Sequence, residues 1–157
     1  MIHLPALILL VVANAAPVML AMLLGQRCAA PIDGGRKLPD GEPLFGAHKT
    51  WRGLLVAIAA AGGAGVLLST GFAIGAAFGA LAMAGDLTSS FVKRRLRRHS
   101  GSWTPLLDQL PEALLPLLVL RDRLGLSLAS IVTTTVIFTL ADLVAARFAP
   151  AARKQPH

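Results

Sequence analysis

Long uninterrupted apolar blocks constrain this chain more than any other feature. A helix that crosses a bilayer needs about 20 mostly apolar residues, and the sequence offers five such stretches. They are 4–25, interrupted by Asn14 and Pro17; 53–70; 72–91, with Gly71 as the hinge before it; 106–120, short and carrying Pro111, Glu112 and Pro116; and 126–148, with the single acid Asp142. Of 157 residues, 55% are apolar and 15% charged, against about 45–50% and about 25% in soluble domains. The mean hydropathy is +0.66. The reading is an all-α integral membrane protein, a single membrane domain over 1–157. Secreted disulfide scaffolds, disordered tails and soluble doubly wound enzymes are excluded. Cys28 is the only cysteine, so no intrachain disulfide forms.

Ala13-Asn14-Ala15 mimics a signal-peptide cleavage site, but no Lys or Arg precedes it and the apolar run continues beyond it. The first block is therefore expected to stay as a span. The basic residues sort by loop. Arg27, Arg36, Lys37, Lys49 and Arg52 lie in 26–52; Lys93, Arg94, Arg95, Arg97 and Arg98 in 92–105; Arg147, Arg153 and Lys154 at or in the tail 149–157. Only Arg121 and Arg123 fall between the fourth and fifth blocks. With five spans, the basic segments share one side. The positive-inside rule then gives an outside N-terminus, a cytoplasmic C-terminus and cytoplasmic loops 26–52 and 92–105. The net charge of +7 accordingly points to an anionic membrane face or anionic substrates there, not to nucleic acid.

Polar chemistry gathers at that side. On the third span Asp86, Ser90, Lys93 and Arg97 lie within about 40° of one direction, and Gly71, Gly75 and Gly79 share it. Small residues at this spacing let a neighbouring helix approach closely, so the polar stack should face the bundle interior. Asp86 is either half of an interfacial pair with Lys93 or a functional acid, because an ionisable group inside a span is expensive. The run from Lys93 to Arg98 either anchors topology or binds phosphates beside a cation held by the carboxylate. The first inner loop, with Pro31-Ile32-Asp33-Gly34-Gly35 and then Lys49 and Arg52, has the same two readings. It is not a P-loop, since Lys49 comes two residues too late after Gly41 and Gly46. His3, His48, His99 and His157 are too scattered for zinc.

Asp108 reaches the same membrane level as Asp86, so two carboxylates from different spans make a candidate divalent-cation site. Glu112 is explained as an acid in a helix's first turn. Asp142 is expected to pair with a nearby base, and Asn14 to bond across helices.

The strings Ala13-Asn14-Ala15-Ala16-Pro17, Pro31-Ile32-Asp33-Gly34-Gly35, Phe45-Gly46 with Lys49-Thr50-Trp51-Arg52-Gly53, Gly85-Asp86-Leu87 with Ser90-Phe91-Val92-Lys93-Arg94-Arg95-Leu96, and Leu107-Asp108-Gln109-Leu110 together resemble the CDP-archaeol synthase family. That family is related to the phosphatidate cytidylyltransferases. The resemblance runs in order along nearly the whole chain. It implies a Mg²⁺-dependent reaction of CTP with a membrane phospholipid acid, giving a CDP-lipid and pyrophosphate in the cell membrane.

By the same resemblance, Asp86, Lys93 and Asp108 are the catalytic residues, with Asp86 and Asp108 holding the metal. Lys49, Arg52, Ser90 and Arg94 would bind the nucleotide, and Asp33 would shape the loop or bind nucleotide as well. One departure stands out: the family commonly has a second acid after Asp-Gln-Leu, where this chain has Pro111 followed by Glu112. Both a diacyl phosphatidate and an isoprenoid phosphate lipid remain open as substrates. The rival readings are a non-enzymatic lipid-binding or transport protein and a degenerate nucleotide-binding homologue.

Overall fold

The computed structural model describes residues 2–98 and 105–148, without the side chains of 105–106 and 146–148. Five helices follow one another: α1 (Leu4–Leu24), α2 (Trp51–Leu67), α3 (Phe72–Arg95), α4 (Pro105–Val119) and α5 (Leu128–Phe148). Helices α1 and α3, and Leu128–Ala145 of α5, are long and apolar enough to cross a membrane; α2 has 17 residues and α4 has 15. Leu4, Val11, Val18, Leu55, Val66, Val132, Val136 and Val144 all face outward. Such a large exposed apolar surface is stable in lipid, not in water. The protein is a multi-pass membrane protein.

Local chemistry explains the helix ends. His3 caps α1 by accepting from the Ala6 amide at 3.2 Å, and Pro5 sits in the first turn, where its missing N–H costs nothing. Thr50 caps α2, its hydroxyl accepting from the Gly53 amide. The apolar stretch 53–70 is not helical throughout: α2 stops at Leu67, and Ser69 and Gly71 turn the chain with positive φ. Helix α3 runs four residues past the expected end at 91, because Lys93, Arg94 and Arg95 are good helix formers in a favourable last turn. Both Pro111 and Pro116 lie inside α4, which is nevertheless one helix. Helix α5 starts at Leu128, not 126, with the Ser127 hydroxyl accepting from the Ser130 amide.

Small residues set the closest packing. A Cβ on Gly79 would lie 2.8 Å from the Ala57 carbonyl oxygen, and one on Gly65 2.9 Å from Gly75 Cα. Helices α2 and α3 thus touch backbone to backbone. Ala13, Ala61 and Ala82 form a buried contact joining α1, α2 and α3. Gly85 performs the same service against α4: a Cβ there would meet the Pro111 carbonyl and stand 2.7 Å from Glu112 Cα. A larger core of Leu9, Leu10, Phe78, Leu117, Ile131 and Phe138 joins the remaining faces. Asn14 departs from expectation, donating to the Leu10 carbonyl of its own helix at 2.9 Å. One turn back is within easier reach than a neighbouring helix. The tail 149–157 and the loop positions 99–104 lie outside the described residues.

Candidate active site

The loop between α1 and α2 is closed at its neck. Ile32 N–H donates to the Lys49 carbonyl at 2.8 Å and Trp51 N–H to the Ala30 carbonyl at 3.0 Å. Its middle folds on Asp33, whose carboxylate accepts from the amides of Gly35 at 3.0 Å, Phe45 at 3.0 Å and Gly46 at 2.9 Å. Gly34 and Gly35 adopt positive φ, which admits this tight turn without steric cost. Asp33 is therefore the internal keystone of the loop, the first of its two expected roles. Burial by itself would raise its carboxyl, but the Gly46, Phe45 and Gly35 amides outweigh it and hold the group below the ordinary carboxylate value.

A carboxyl lowered on folding stabilises the loop at all pH values above the ordinary carboxylate range, and that contribution fades as pH falls through the lowered value. Proteolysis within 34–45 should therefore stay slow at neutral pH and accelerate below about pH 4. The Asp33→Ala variant should show fast cleavage already at pH 7. Charge-assisted bonds to backbone amides contribute about 1.5–3 kcal/mol each, so at least a tenfold rise in cleavage rate is expected. Equal rates for parent and variant would refute the keystone role.

At the loop tip, Arg95 binds the Asp40 carboxylate and the Pro43 carbonyl, the latter at 2.7 Å, and stacks 5.2 Å from the Phe91 ring centroid. Sequence reasoning gave Arg95 no role beyond its charge. The signal available was its i, i+4 spacing from Phe91, which places the guanidinium over the ring.

The neck delivers Lys49 to α3. Its Nζ lies 2.7 and 2.5 Å from the two carboxylate oxygens of Asp86. A second pair crosses from α3 to α4, Lys93 Nζ to Asp108 Oδ1 at 2.7 Å. The expected alternative for Asp86, a pair with Lys93, is replaced by this exchange of partners: antiparallel α3 and α4 bring Lys93 level with Asp108, one rung away from Asp86. Lys93 and Arg94 are 8% and 3% exposed, so this charge sits inside the bundle. The Asp108 and Glu42 charges both bear on Arg94. Ser90 is buried on the same helix.

Three residues stand elsewhere than the sequence reading put them. Arg52 does not join the cluster; its guanidinium binds the carbonyls of Arg27 and Gly25, the latter at 2.6 Å. It ties down the chain leaving α1, whose terminal carbonyls lack helical partners. Asp142, expected to pair with a base, accepts instead from the Gln109 amide among the described residues, with Nε2 to Oδ2 at 2.5 Å. Glu112 is no first-turn acid. It lies two turns into α4, 7% exposed, with the charges of Asp86, Lys49, Asp142 and Asp108 all bearing on it.

These residues suit a hard cation. The donors are oxygens alone: the carboxylates of Asp86, Asp108 and Glu112, and Gln109 Oε1, which is buried without a hydrogen-bond partner among the described residues. No three His, Cys, Asp or Glu side chains among the described residues converge to cage a metal. Oxygen donors of this kind are the ones Mg²⁺ accepts.

The chain is similar to known proteins of one family. The CarS-like family model, described as CDP-archaeol synthase, matches residues 64–149. The CDP-archaeol synthase of Hyperthermus butylicus is 38% identical over 111 residues, covering 67% of this chain and 63% of that protein. That of Aeropyrum pernix is 47% identical over 113 residues, covering 68% and 59%. The chain thus spans about six-tenths of the length of these curated relatives. A solved structure described as an intramembrane enzyme for archaeal membrane lipids biosynthesis superposes with a TM-score of 0.76 at 37% identity, covering 90% of each chain. With its match extending over more than half of its residues, this chain belongs to the CarS-like CDP-archaeol synthase family.

Proposed function

We propose that the protein transfers a cytidylyl group from CTP to the phosphate of a membrane phospholipid acid, phosphatidate-like or archaetidate-like, releasing pyrophosphate. The observation that carries this reading is the pair of crossed contacts, Lys49 with Asp86 and Lys93 with Asp108, at one end of a lipid-embedded bundle. Carboxylates and lysines alternate there as phosphoryl-type transfer requires. The charge layout orients this end to the cytoplasm, with all five helices crossing the cell membrane. CTP then arrives from water and the lipid from the leaflet.

In the proposed reaction a lipid phosphate oxygen attacks the α-phosphorus of CTP. The new O–P bond forms as the bond from the α-phosphorus to the bridging oxygen breaks, and pyrophosphate leaves with the electron pair. A phosphate monoester is largely ionised near neutral pH, so no strong base is required. Lys93 and Arg94, on the rigid last turn of α3, neutralise the α-phosphate. Lys49, carried by the closed loop, neutralises the leaving group. Asp86 and Asp108, with Glu112 beside them, would hold Mg²⁺, which supplies Lewis-acid polarisation of the phosphate oxygens. Positioning and charge neutralisation are the whole of catalysis here.

Purified protein should produce CDP-lipid and pyrophosphate in equal amounts from CTP, Mg²⁺ and a phospholipid acid, and neither when any one is left out. CTP with Mg²⁺ should also raise its thermal stability, since a ligand of the folded state shifts unfolding by mass action. A stabilised protein with no product from any lipid of a diacyl and isoprenoid panel would indicate a nucleotide binder without turnover. Neither stabilisation nor product would indicate a non-enzymatic protein.

A further inference from the structure

We infer that the cleft between α3 and α4 seats one hydrocarbon chain of the lipid substrate and selects that substrate by its chain; this rests on the proposed transfer reaction. The cleft has about 190 Å³ of free volume and is lined by Gly85, Thr88, Pro111, Leu114, Leu115 and Leu118. On α4 these positions follow i, i+3, i+4 and i+7, which form one stripe of a helix. On α3, the Thr88 hydroxyl already donates to the Ala84 carbonyl at 2.8 Å, so it presents no unpaired polar group. The surface is accordingly built for hydrocarbon.

Its position gives it a substrate. Along the antiparallel α3–α4 seam, the Lys93–Asp108 pair forms the outer rung. Gly85 and Asp86 on α3 sit against Pro111 and Glu112 on α4 at the next rung. The cleft spans that rung, with Thr88 on the side of the charges, and along α4 it runs away from them, Leu118 lying about 10 Å beyond Pro111. Asp108 shares the α4 stripe of Pro111 and Leu115, so an occupant that fills the cleft and also reaches Lys93, the partner of Asp108, is anionic at one end and apolar below. That is the chemistry of a lipid phosphate monoester.

Size agrees. Sites that enclose a whole small molecule occupy about 300–1,000 Å³, so this cleft takes a segment of chain and not a headgroup or nucleotide. Close backbone packing at Gly85 keeps its floor rigid, and a rigid wall discriminates between straight and methyl-branched chains better than fluid lipid does.

Two variants test this on the whole 157-residue chain in detergent micelles. Leu118→Trp places a fluorescent reporter at the exposed end, read above the parent signal of Trp51 and Trp103. Phosphatidate with dibrominated chains should quench it at a mole fraction at least fivefold lower than dibrominated phosphatidylcholine. Equal quenching by the two lipids would mean an ordinary lipid-facing surface and would overturn the inference. Leu115→Phe narrows the middle of the cleft and should raise KM for the lipid at least fivefold with KM for CTP unchanged. An unchanged lipid KM would also overturn it. A parent protein that forms no CDP-lipid, while Leu118→Trp is still quenched selectively, would remove the transferase reading and retain the chain seat.

Discussion

An Asp86→Asn variant should lose cytidylyl transfer by a factor on the order of a hundred to a thousand, the scale of removing one preorganised electrostatic group from a reacting centre. The side chain keeps its size and its place on α3, so the helices should assemble normally. What changes is charge: Lys49 Nζ, 2.5 Å from Asp86 Oδ2, loses its counter-ion, and the site loses one of the acids proposed to hold Mg²⁺. The pair is partly exposed, so the loss of folding stability should be small and the loss of turnover large. Initial rates of pyrophosphate release, with apparent Tm measured in parallel, separate the two effects. A well-folded variant as fast as the parent would disprove the site. Lys93→Ala should behave similarly, since it takes away a buried cation and its ion pair with Asp108.

Gly85→Ala should have the second large effect, and here stability and activity should fall together. The added methyl would run into the Pro111 carbonyl group and stand 2.7 Å from Glu112 Cα. All of these are backbone atoms, which cannot turn aside as a side chain would. Overpacking of this kind costs about 1–3 kcal/mol, and the relief available is to push α4 away from α3. That movement displaces Asp108 and Glu112 from Asp86, and a misplacement of about 1 Å can cost a hundredfold in rate. Gly63→Ala is the control: on the exposed side of α2, a Cβ there meets nothing within 4 Å, and alanine is the better helix former by about 0.5–1 kcal/mol. It should leave activity intact and raise apparent Tm slightly. If Gly85→Ala matched Gly63→Ala in both readouts, the tight α3–α4 crossing would not exist.

The five helices were legible from apolar run length because lipid leaves the chain few other choices. Their ends were less so. Hydropathy falls at Ser89 and Lys93, yet the α3 backbone continues to Arg95, since helix propensity and transfer energy are different quantities. The acids and bases were also legible, as ionisable residues in or beside apolar blocks. Their partners were not. A helical wheel orders residues on one helix but carries no register between helices, so Lys93 could be assigned to Asp86 when it belongs to Asp108. The fate of Arg52 was hidden for the same reason: nothing in its neighbours announces that the carbonyls of Gly25 and Arg27 end up beside it. Glu112 shows a third limit. Its place two turns into α4 depended on a helix start at Pro105, six residues before a proline that itself looks like a start.

The crossed lysine–carboxylate contacts have one further consequence. At rest the ammonium groups of Lys49 and Lys93 are each matched by a carboxylate. In the proposed reaction a nucleotide arriving with a divalent ion would not add net foreign charge: Lys49 and Lys93 would turn to its phosphates, and Asp86 and Asp108 would be left to hold the ion. Loading becomes a swap of dance partners, sensitive to any ion that tempts one member of a pair away before its replacement is present.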